Sequence, residues 1–152
     1  NLDYLVIDTP PGTGDVHLGL SQHFNIDGAI LVTSPQKIAT ADVTRSVSAF
    51  KQMGIPILGM IQNFDGFICE NCKTETKIFP GRGAEELSKK FNIPLLGSLP
   101  IDPEISSAAD KGVPVIIAHP NSAYTKVFRD VADTIISFLP RVAPKAPAKK
   151  IE

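Results

Sequence analysis

Short apolar runs of β type alternate along this chain with segments of helical spacing, and this alternation restricts the possible folds most strongly. Predicted strands occupy residues 3–8, 29–33, 56–61 and 95–98, and Val113 to Ile117 is expected to be a last strand. Predicted helices occupy residues 15–22, 40–53 and 83–91, then a segment from Asp102 that ends by Gly112, and finally residues 122–139. Strands joined by helices through short connections predict an α/β three-layer sandwich with a mostly parallel sheet. In such sheets, ligands bind at the carboxyl ends of the strands.

Several predicted helices carry signals at their ends. Asp15 is expected to be an N-cap, and Gly54 stands where a glycine commonly follows a helix. Asp102 and Pro103 combine an N-cap with a proline at the first helical position. The last helix has an apolar stripe that is expected to pack on the sheet, formed by Val127, Val131, Ile135 and Leu139.

The composition indicates one globular domain followed by a tail. The 152 residues are 43% hydrophobic, which is enough for a core, and residues 1–139 are expected to form the domain. Residues 140–152 are rich in proline, alanine and lysine, which predicts a disordered basic tail. The formal net charge of −1 disfavours a non-specific nucleic-acid binder. No apolar run approaches the ~20 residues of a membrane span, so we expect neither nucleic acid nor a membrane as a partner.

A carboxylate and a glycine-rich loop follow the first predicted strand. Asp8 ends the apolar run from Leu2 to Ile7, and the loop from Thr9 to Gly14 contains two prolines and two glycines. A strand-end carboxylate can hold hydrated Mg²⁺, and a glycine lets a backbone N–H approach a phosphate. The segment therefore predicts a phosphate and Mg²⁺ site, and a strand-end acid that caps a loop is the simpler alternative. His17 follows the loop, and we expect a surface or helix-end position for it.

The only two cysteines of the chain, Cys69 and Cys72, form one C-x-x-C motif. This spacing lets two thiolates bind one soft metal centre, but it supplies only half of a tetrahedral set. The other half must come from another chain, or the pair has another role. A zinc site between chains, a thioredoxin-like redox pair and two inert structural thiols are the alternatives. A single C-x-x-C is not a secreted disulfide framework, so a reducing cytoplasm is the expected compartment.

The motifs, in their order and spacing, resemble the Mrp/ApbC-type iron–sulfur cluster carriers, which belong to the MinD/ParA-like deviant P-loop ATPases. The segment from Asp8 to Asp15 is similar to the Walker B and switch II region of that family. The resemblance covers nearly the whole chain except the basic tail. It continues through four further segments, at residues 32–36, 59–64, 66–72 and 96–104.

The resemblance implies a role for each matching residue. It implies that Asp8 binds Mg²⁺ through water and that Gly12 offers its N–H to the γ-phosphate of ATP. It implies that Asn63 contacts adenine, although an asparagine that caps a turn is the alternative on the residue alone. Pro100 and Asp102 match positions that line the adenine and ribose in related ATPases, and Asp102 can also serve as an N-cap.

The implied function is that of an ATP-dependent scaffold or carrier that assembles iron–sulfur clusters and delivers them to client apoproteins. The resemblance further implies that a homodimer bridges one 4Fe–4S cluster through Cys69 and Cys72 of each subunit. Two other readings are a non-enzymatic metal-binding dimerisation fragment and a MinD/ParA-type positioning ATPase. The positioning ATPase would require the C-x-x-C to be incidental. We also expect no amphipathic membrane-targeting helix at the C-terminus, which disfavours that reading.

The chain departs from the family pattern in one major respect. No G-x-x-x-x-G-K-S/T stretch occurs in the 152 residues, so the Walker A lysine and the phosphate cradle are absent. We therefore expect the chain to be the C-terminal portion of a P-loop NTPase domain. The N-terminal P-loop half would then lie upstream or in another chain, and ATP hydrolysis is expected of the full-length parent.

Overall fold

A computed structural model describes residues 2–12, 14–69 and 71–139. Its elements follow each other in a mixed α/β order. They are α1 (Asp15–His23), β1 (Ala29–Thr33), α2 (Lys37–Gln52), β2 (Ile57–Gln62), β3 (Phe67–Ile68), β4 (Glu75–Thr76), α3 (Gly83–Phe91), β5 (Leu95–Ser98), α4 (Pro103–Asp110), α5 (Val115–Ala118) and α6 (Ala123–Phe138). The predicted tail at residues 140–152 lies outside the described residues.

The main sheet of the described residues has three parallel strands in the order β1-β2-β5. At its carboxyl edge Thr33 lies opposite Gln62, and Gln62 lies opposite Ser98. α2 packs against β1 and α3, α3 packs against β2, and α6 packs against β5. The α/β class and the parallel sheet are thereby confirmed, and the chain's strand ends are aligned at one edge.

The core lies between the sheet and the helices α2 and α3. Val47 and Met60 are completely buried, and four further apolar side chains complete the cluster: Leu31, Val43, Leu87 and Ile93. Val43 and Val47 come from the predicted stripe of α2. Burial of this apolar surface is the main favourable term that holds the helices on the sheet.

The predicted strand at residues 3–8 is absent from the described structure. These residues have no regular secondary structure, and Leu5 and Val6 expose 73% and 88% of their surface. A buried parallel strand needs backbone partners. Among the described residues, β1 forms the edge of the sheet and does not pair with this segment. Apolar, β-type composition alone is therefore not enough to produce a strand here.

The prediction of a last strand from Val113 to Ile117 was also wrong. Residues Val115–Ala118 form the short helix α5, in which Ala118 and His119 donate backbone hydrogen bonds to Pro114 and Val115. Pro114 begins the turn, and its ring fixes a φ of −56°. Contacts with α4 and α6 hold the segment, so tertiary packing overrides the strand preference of its β-branched residues.

The predicted helix ends were correct at some positions and wrong at others. Asp102 caps α4 by accepting a hydrogen bond from the Glu104 N–H at 2.8 Å, and Gly54 follows α2 with φ of +70°. Ser122 caps α6 through the Thr125 N–H. Asp15 is not the N-cap of α1; that position belongs to Gly14, and Asp15 lies in the first turn.

Replacement of Val131 on α6 by aspartate should destabilise the fold. Val131 is 7% exposed, and its Cγ2 atom would lie 2.9 Å from a Cβ placed on Gly97 of β5, so the helix packs closely on the strand. Val131→Asp would bury a carboxylate without a partner and cost on the order of 3 kcal/mol. Urea denaturation followed by circular dichroism measures the change in the free energy of unfolding.

Ile136→Asp on the same helix is the matched control, because Ile136 is 44% exposed. It should change the free energy of unfolding much less than Val131→Asp does. Equal effects of the two substitutions would show that the Val131 face of α6 is not packed against the sheet.

Candidate functional site

The loops that follow β2 and β5 are joined by backbone hydrogen bonds at the carboxyl edge of the sheet. Leu99 donates to the Gln62 carbonyl at 2.8 Å, and Asp65 donates to the Leu99 carbonyl at 2.9 Å. Asn63 extends the contact to the third strand by donating to the Thr33 carbonyl at 2.7 Å. The structure therefore places Asn63 and the segment that contains Pro100 and Asp102 on loops that meet at the same edge of the sheet.

The polar side chains at this edge accept hydrogen bonds from nearby backbone N–H groups. The Asn63 Oδ1 atom accepts a hydrogen bond from the Phe64 N–H at 3.0 Å, which is the turn-capping role. The Asp102 Oδ1 atom caps α4, so the two side chains each use one oxygen for local structure. Both residues, like Pro100, are half-buried. An amide and a carboxylate with further capacity for hydrogen bonds remain at the edge.

The two cysteines lie at the end of a β-hairpin. β3 pairs antiparallel with β4, with Phe67 opposite Thr76 and Ile68 opposite Glu75. Beyond the strands, Cys69 donates its backbone N–H to the Thr74 carbonyl at 3.1 Å, and Lys73 donates to the Cys69 carbonyl at 2.9 Å. These contacts make the segment around the cysteines a regular hairpin. A thioredoxin-like motif opens a helix, and the hairpin does not fit that alternative.

Both thiols are free and accessible, with Cys69 half-buried and Cys72 exposed. Hydrogen bonds from the Thr74 side chain and backbone, and then from the Cys69 side chain, lower the pKa of Cys72 to about 7. Thiolate is the form that binds metals and attacks electrophiles. Within the described ranges, no cluster of three or more histidine, cysteine or acidic side chains could hold a metal ion. The hairpin thus offers two soft ligands from this chain.

The cysteine hairpin is attached to the loop that follows β5. Ile101 donates its N–H to the Gly66 carbonyl at 2.6 Å, and Phe67 forms an isolated parallel bridge with Ile101. Ile101 lies between Pro100 and Asp102 in the chain. The structure therefore connects the base of the hairpin directly to the segment predicted to line the nucleotide.

The loop that contains Asp8 and Gly12 is anchored elsewhere. The Thr9 hydroxyl lies 3.1 Å from the His17 Nε2 atom, and the His17 ring packs edge-on against Phe50 with centroids 5.7 Å apart. Phe50 lies near the end of α2 that leads into β2, so this anchor is at the amino edge of the sheet. Asp8 is exposed, and Gly12 has open space around it with φ of +93°. The structure does not bring these two residues to Asn63.

His17 lies near the start of α1, as the helix-end expectation had it, but it is buried and not on the surface. It is 7% exposed, and its Nδ1 atom is buried without a hydrogen-bond partner among the described residues. The His17 ring lies in the first turn of α1 and packs edge-on against Phe50, so its contact with Thr9 holds that residue against the body of the protein. Its position in a weakly amphipathic helix gave no signal of this burial.

Gln62 connects the start of α3 to the loop after β2, a role that the sequence did not reveal. It is 2% exposed; its Oε1 atom accepts from the Ala84 N–H at 3.1 Å, and its Nε2 atom donates to Asp65. Ala84 lies in the first turn of α3, where backbone N–H groups lack helical partners. A single polar residue at the end of the apolar run of β2 is the signal that could have indicated this role.

A parallel sheet with polar strand ends at its carboxyl edge is typical of nucleotide-binding α/β proteins. Residues 1–136 match the family described as "ParA: NUBPL iron-transfer P-loop NTPase". The chain therefore belongs to this family of P-loop NTPases, which confirms the resemblance identified from its motifs.

A curated relative supports the same assignment. The chain is 44% identical over 135 residues to the iron-sulfur cluster carrier protein of Aquifex aeolicus (strain VF5). The match covers 89% of this chain but only 37% of the relative, so the chain spans less than half the length of the curated relative it matches.

Two solved structures share the fold. One is a nucleotide-binding protein from Archaeoglobus fulgidus in complex with ADP, at 37% identity and a TM-score of 0.65, covering 73% of this chain and 46% of that protein. The other is the cell division ATPase MinD from Pyrococcus furiosus, at 27% identity and a TM-score of 0.57, covering 73% of this chain and 43% of that one. The P-loop NTPase fold predicted for the chain is thereby confirmed. Within the described ranges, no helix combines the length and apolarity needed to cross a membrane.

The low pKa of Cys72 should appear in its reactivity. In the metal-free protein, alkylation of Cys72 by iodoacetamide should rise with pH through a midpoint of about 7, because the thiolate is the reacting form. Thr74→Val removes the largest cause of the lowered pKa and should move the midpoint towards the ordinary value of a cysteine thiol. Site-resolved mass spectrometry after timed alkylation at a series of pH values measures the midpoint.

Thr76→Val is the matched control, since Thr76 lies two residues further along, in β4. It should leave the midpoint of Cys72 unchanged. A Thr74→Val protein with the same Cys72 midpoint as the original would contradict the assigned cause.

Proposed function

We propose that this chain is the C-terminal part of an ATP-dependent iron–sulfur cluster carrier, with a 4Fe–4S cluster as its cargo. The observation that supports this most directly is the cysteine hairpin attached to the loop between Pro100 and Asp102. Family membership and the name of the Aquifex aeolicus relative support the same function. Residues 1–139 would be the C-terminal portion of the NTPase domain, and residues 140–152 its basic tail.

A 4Fe–4S cluster at the hairpin would need ligands beyond those of one chain. Cys69 and Cys72 supply two thiolates, whereas a 4Fe–4S cluster takes four. The described residues offer no further ligand cluster. We propose a homodimer in which each subunit contributes one hairpin, and the cluster lies between the two. The same four thiolates would suit zinc, which is the alternative occupant.

The proposed nucleotide site combines residues of this chain with an upstream half. Asn63 would contact the adenine of ATP, and Pro100 and Asp102 would line the base and ribose; their convergence at one edge supports this. The Walker A phosphate cradle would come from the N-terminal P-loop half of the full-length parent. There the segment at 3–8 would pair into the sheet and carry Asp8 and Gly12 to the phosphates, where Asp8 would hold hydrated Mg²⁺.

Nucleotide binding would then affect how firmly the cluster is held. A ligand that binds two arrangements of the dimer with different affinity shifts the balance between them. ATP would favour the arrangement that retains the cluster, and slow hydrolysis would allow its delivery to client apoproteins. Such thiolate chemistry requires reduced cysteines, which supports a reducing compartment such as the cytoplasm.

Loss of one cysteine should remove both the cluster and the metal-linked dimer. Anaerobic reconstitution of the full-length parent should give absorption at about 400 nm and about four irons per dimer. Cys72→Ser should lose both, because one thiolate per subunit cannot hold the cluster. Iron analysis together with size-exclusion chromatography and light scattering measures the two properties on the same sample.

Asn71→Ser is the matched control, since Asn71 lies between the cysteines and is exposed; it should retain iron and dimer. A monomer that holds the full iron content, or a Cys72→Ser protein that keeps its cluster, would refute the bridging arrangement. Tetrahedral zinc in material from iron-replete cells, seen by X-ray absorption, would favour the zinc alternative.

Removal of the Asp8 carboxylate should impair ATP hydrolysis by the full-length parent. A group that orients a metal-bound water typically contributes about 10- to 100-fold to activity, so Asp8→Ala should lower turnover by at least that factor. Asp3→Ala, in the same segment, is the control and should hydrolyse ATP normally. Phosphate release under saturating Mg-ATP measures turnover, and unchanged turnover in Asp8→Ala would remove Asp8 from the proposed metal site.

A further inference from the structure

We propose that Lys77 is a positioning residue that ties the cysteine hairpin to the loop after Asn63, so that nucleotide at Asn63 restrains Cys69 and Cys72. The inference rests on the proposed function for its nucleotide, but it requires neither iron nor hydrolysis. The connection is made by the side chain of Lys77, which lies outside all of the motifs.

Lys77 follows β4 and spans the gap between the hairpin and the strand-end loop. Its Nζ atom lies 2.7 Å from the Glu75 Oε1 atom on the hairpin. On the loop it donates to the Asp65 carbonyl at 2.8 Å and lies 3.2 Å from the Asp65 Oδ1 atom. The hydrogen bonds to Glu75 and Asp65 raise the pKa of Lys77 above its ordinary value, so the ammonium form is maintained.

Asp65 in turn is fixed to the buried part of the sheet. Its carboxylate accepts from the Gln62 Nε2 atom, and its N–H donates to the Leu99 carbonyl at 2.9 Å. Gln62 also accepts from the Ala84 N–H of α3 and is 2% exposed. A continuous series of hydrogen bonds therefore runs from the hairpin through Lys77 and Asp65 to a rigid, buried side chain.

The two strands of the hairpin are attached in different ways. β3 is held by backbone groups, through Gly66 and Phe67 with Ile101. The attachment on the β4 side runs through the Lys77 side chain. Loss of that side chain would leave the hairpin folded and attached at one strand, free to swing about it. Since Lys77 is 55% exposed, its ion pairs contribute little to folding stability, and their main effect is on position.

Hydrogen–deuterium exchange of the metal-free, full-length parent tests the tie with Mg-ADP as the probe. In the original protein, Mg-ADP should slow exchange of the amides of Cys69 and Lys73 by about fivefold or more, a typical coupling between two sites. In Lys77→Met this slowing should be lost, while the segment at 99–103 is still protected by nucleotide. Lys77→Arg, which keeps the charge and the donors, should restore it.

Lys73→Met is the control for loss of charge near the thiols, because Lys73 lies next to Cys72 in the same hairpin. It should respond to Mg-ADP as the original protein does. The proposal would be overturned by hairpin protection that persists in Lys77→Met, by its equal loss in Lys73→Met, or by no response in the original protein. The exchange experiment contains no iron, so a negative result bears on Lys77 alone. Failure of the parent to bind a cluster is measured separately, by the iron content after reconstitution.

Discussion

The hydrogen bond from the Leu99 N–H to the Gln62 carbonyl, at the carboxyl edge of the sheet, is the contact on which the candidate site depends. It continues the parallel pairing of β2 and β5 by one residue beyond the strands. Because both loops leave the sheet at this point, residues distant in the chain become neighbours. Asn63 and the segment from Pro100 to Asp102 lie at one edge for this reason, and the cysteine hairpin is attached beside them.

Gln62 makes that edge rigid. A buried amide without partners would be costly, and here it meets the unsatisfied N–H of Ala84 and the carboxylate of Asp65. The start of α3 and the loop after β2 are thus held by one side chain. The hairpin with Cys69 and Cys72 projects from this fixed base, so it can be accessible to a partner and still be well positioned. The proposed transfer of a metal cluster to a client protein would use both properties.

Local patterns predicted the parts of the fold that depend on local chemistry. The helix at Pro103–Asp110 was predicted because the Asp102 cap, the proline and Glu104 all act within one turn. β1, β2 and β5 were predicted because they are short apolar runs. The prediction was correct because each of them has a partner in the sheet. The segment at 3–8 has the same composition without such a partner, and the run at 113–117 is held by helices, so composition alone gave the wrong structure for both.

The sequence likewise revealed only part of the candidate site. The C-x-x-C motif and the strand-end position of Asn63 are visible as sequence patterns. The buried contact of His17 with Thr9 and the bridge from Lys77 to Asp65 are not, because they arise only when separate segments pack. Such tertiary contacts between polar side chains leave no periodicity in the sequence.

In the proposed function, nucleotide binds at the edge shared by β2 and β5, beside the cysteine hairpin. Photo-crosslinking of the full-length parent with 8-azido-ADP, followed by peptide mapping, locates the bound nucleotide. The label should fall on peptides containing Asn63 or residues 99–103 and should be lost in competition with ADP. Label confined to α5 and α6, with Asn63 and residues 99–103 unmodified, would contradict it.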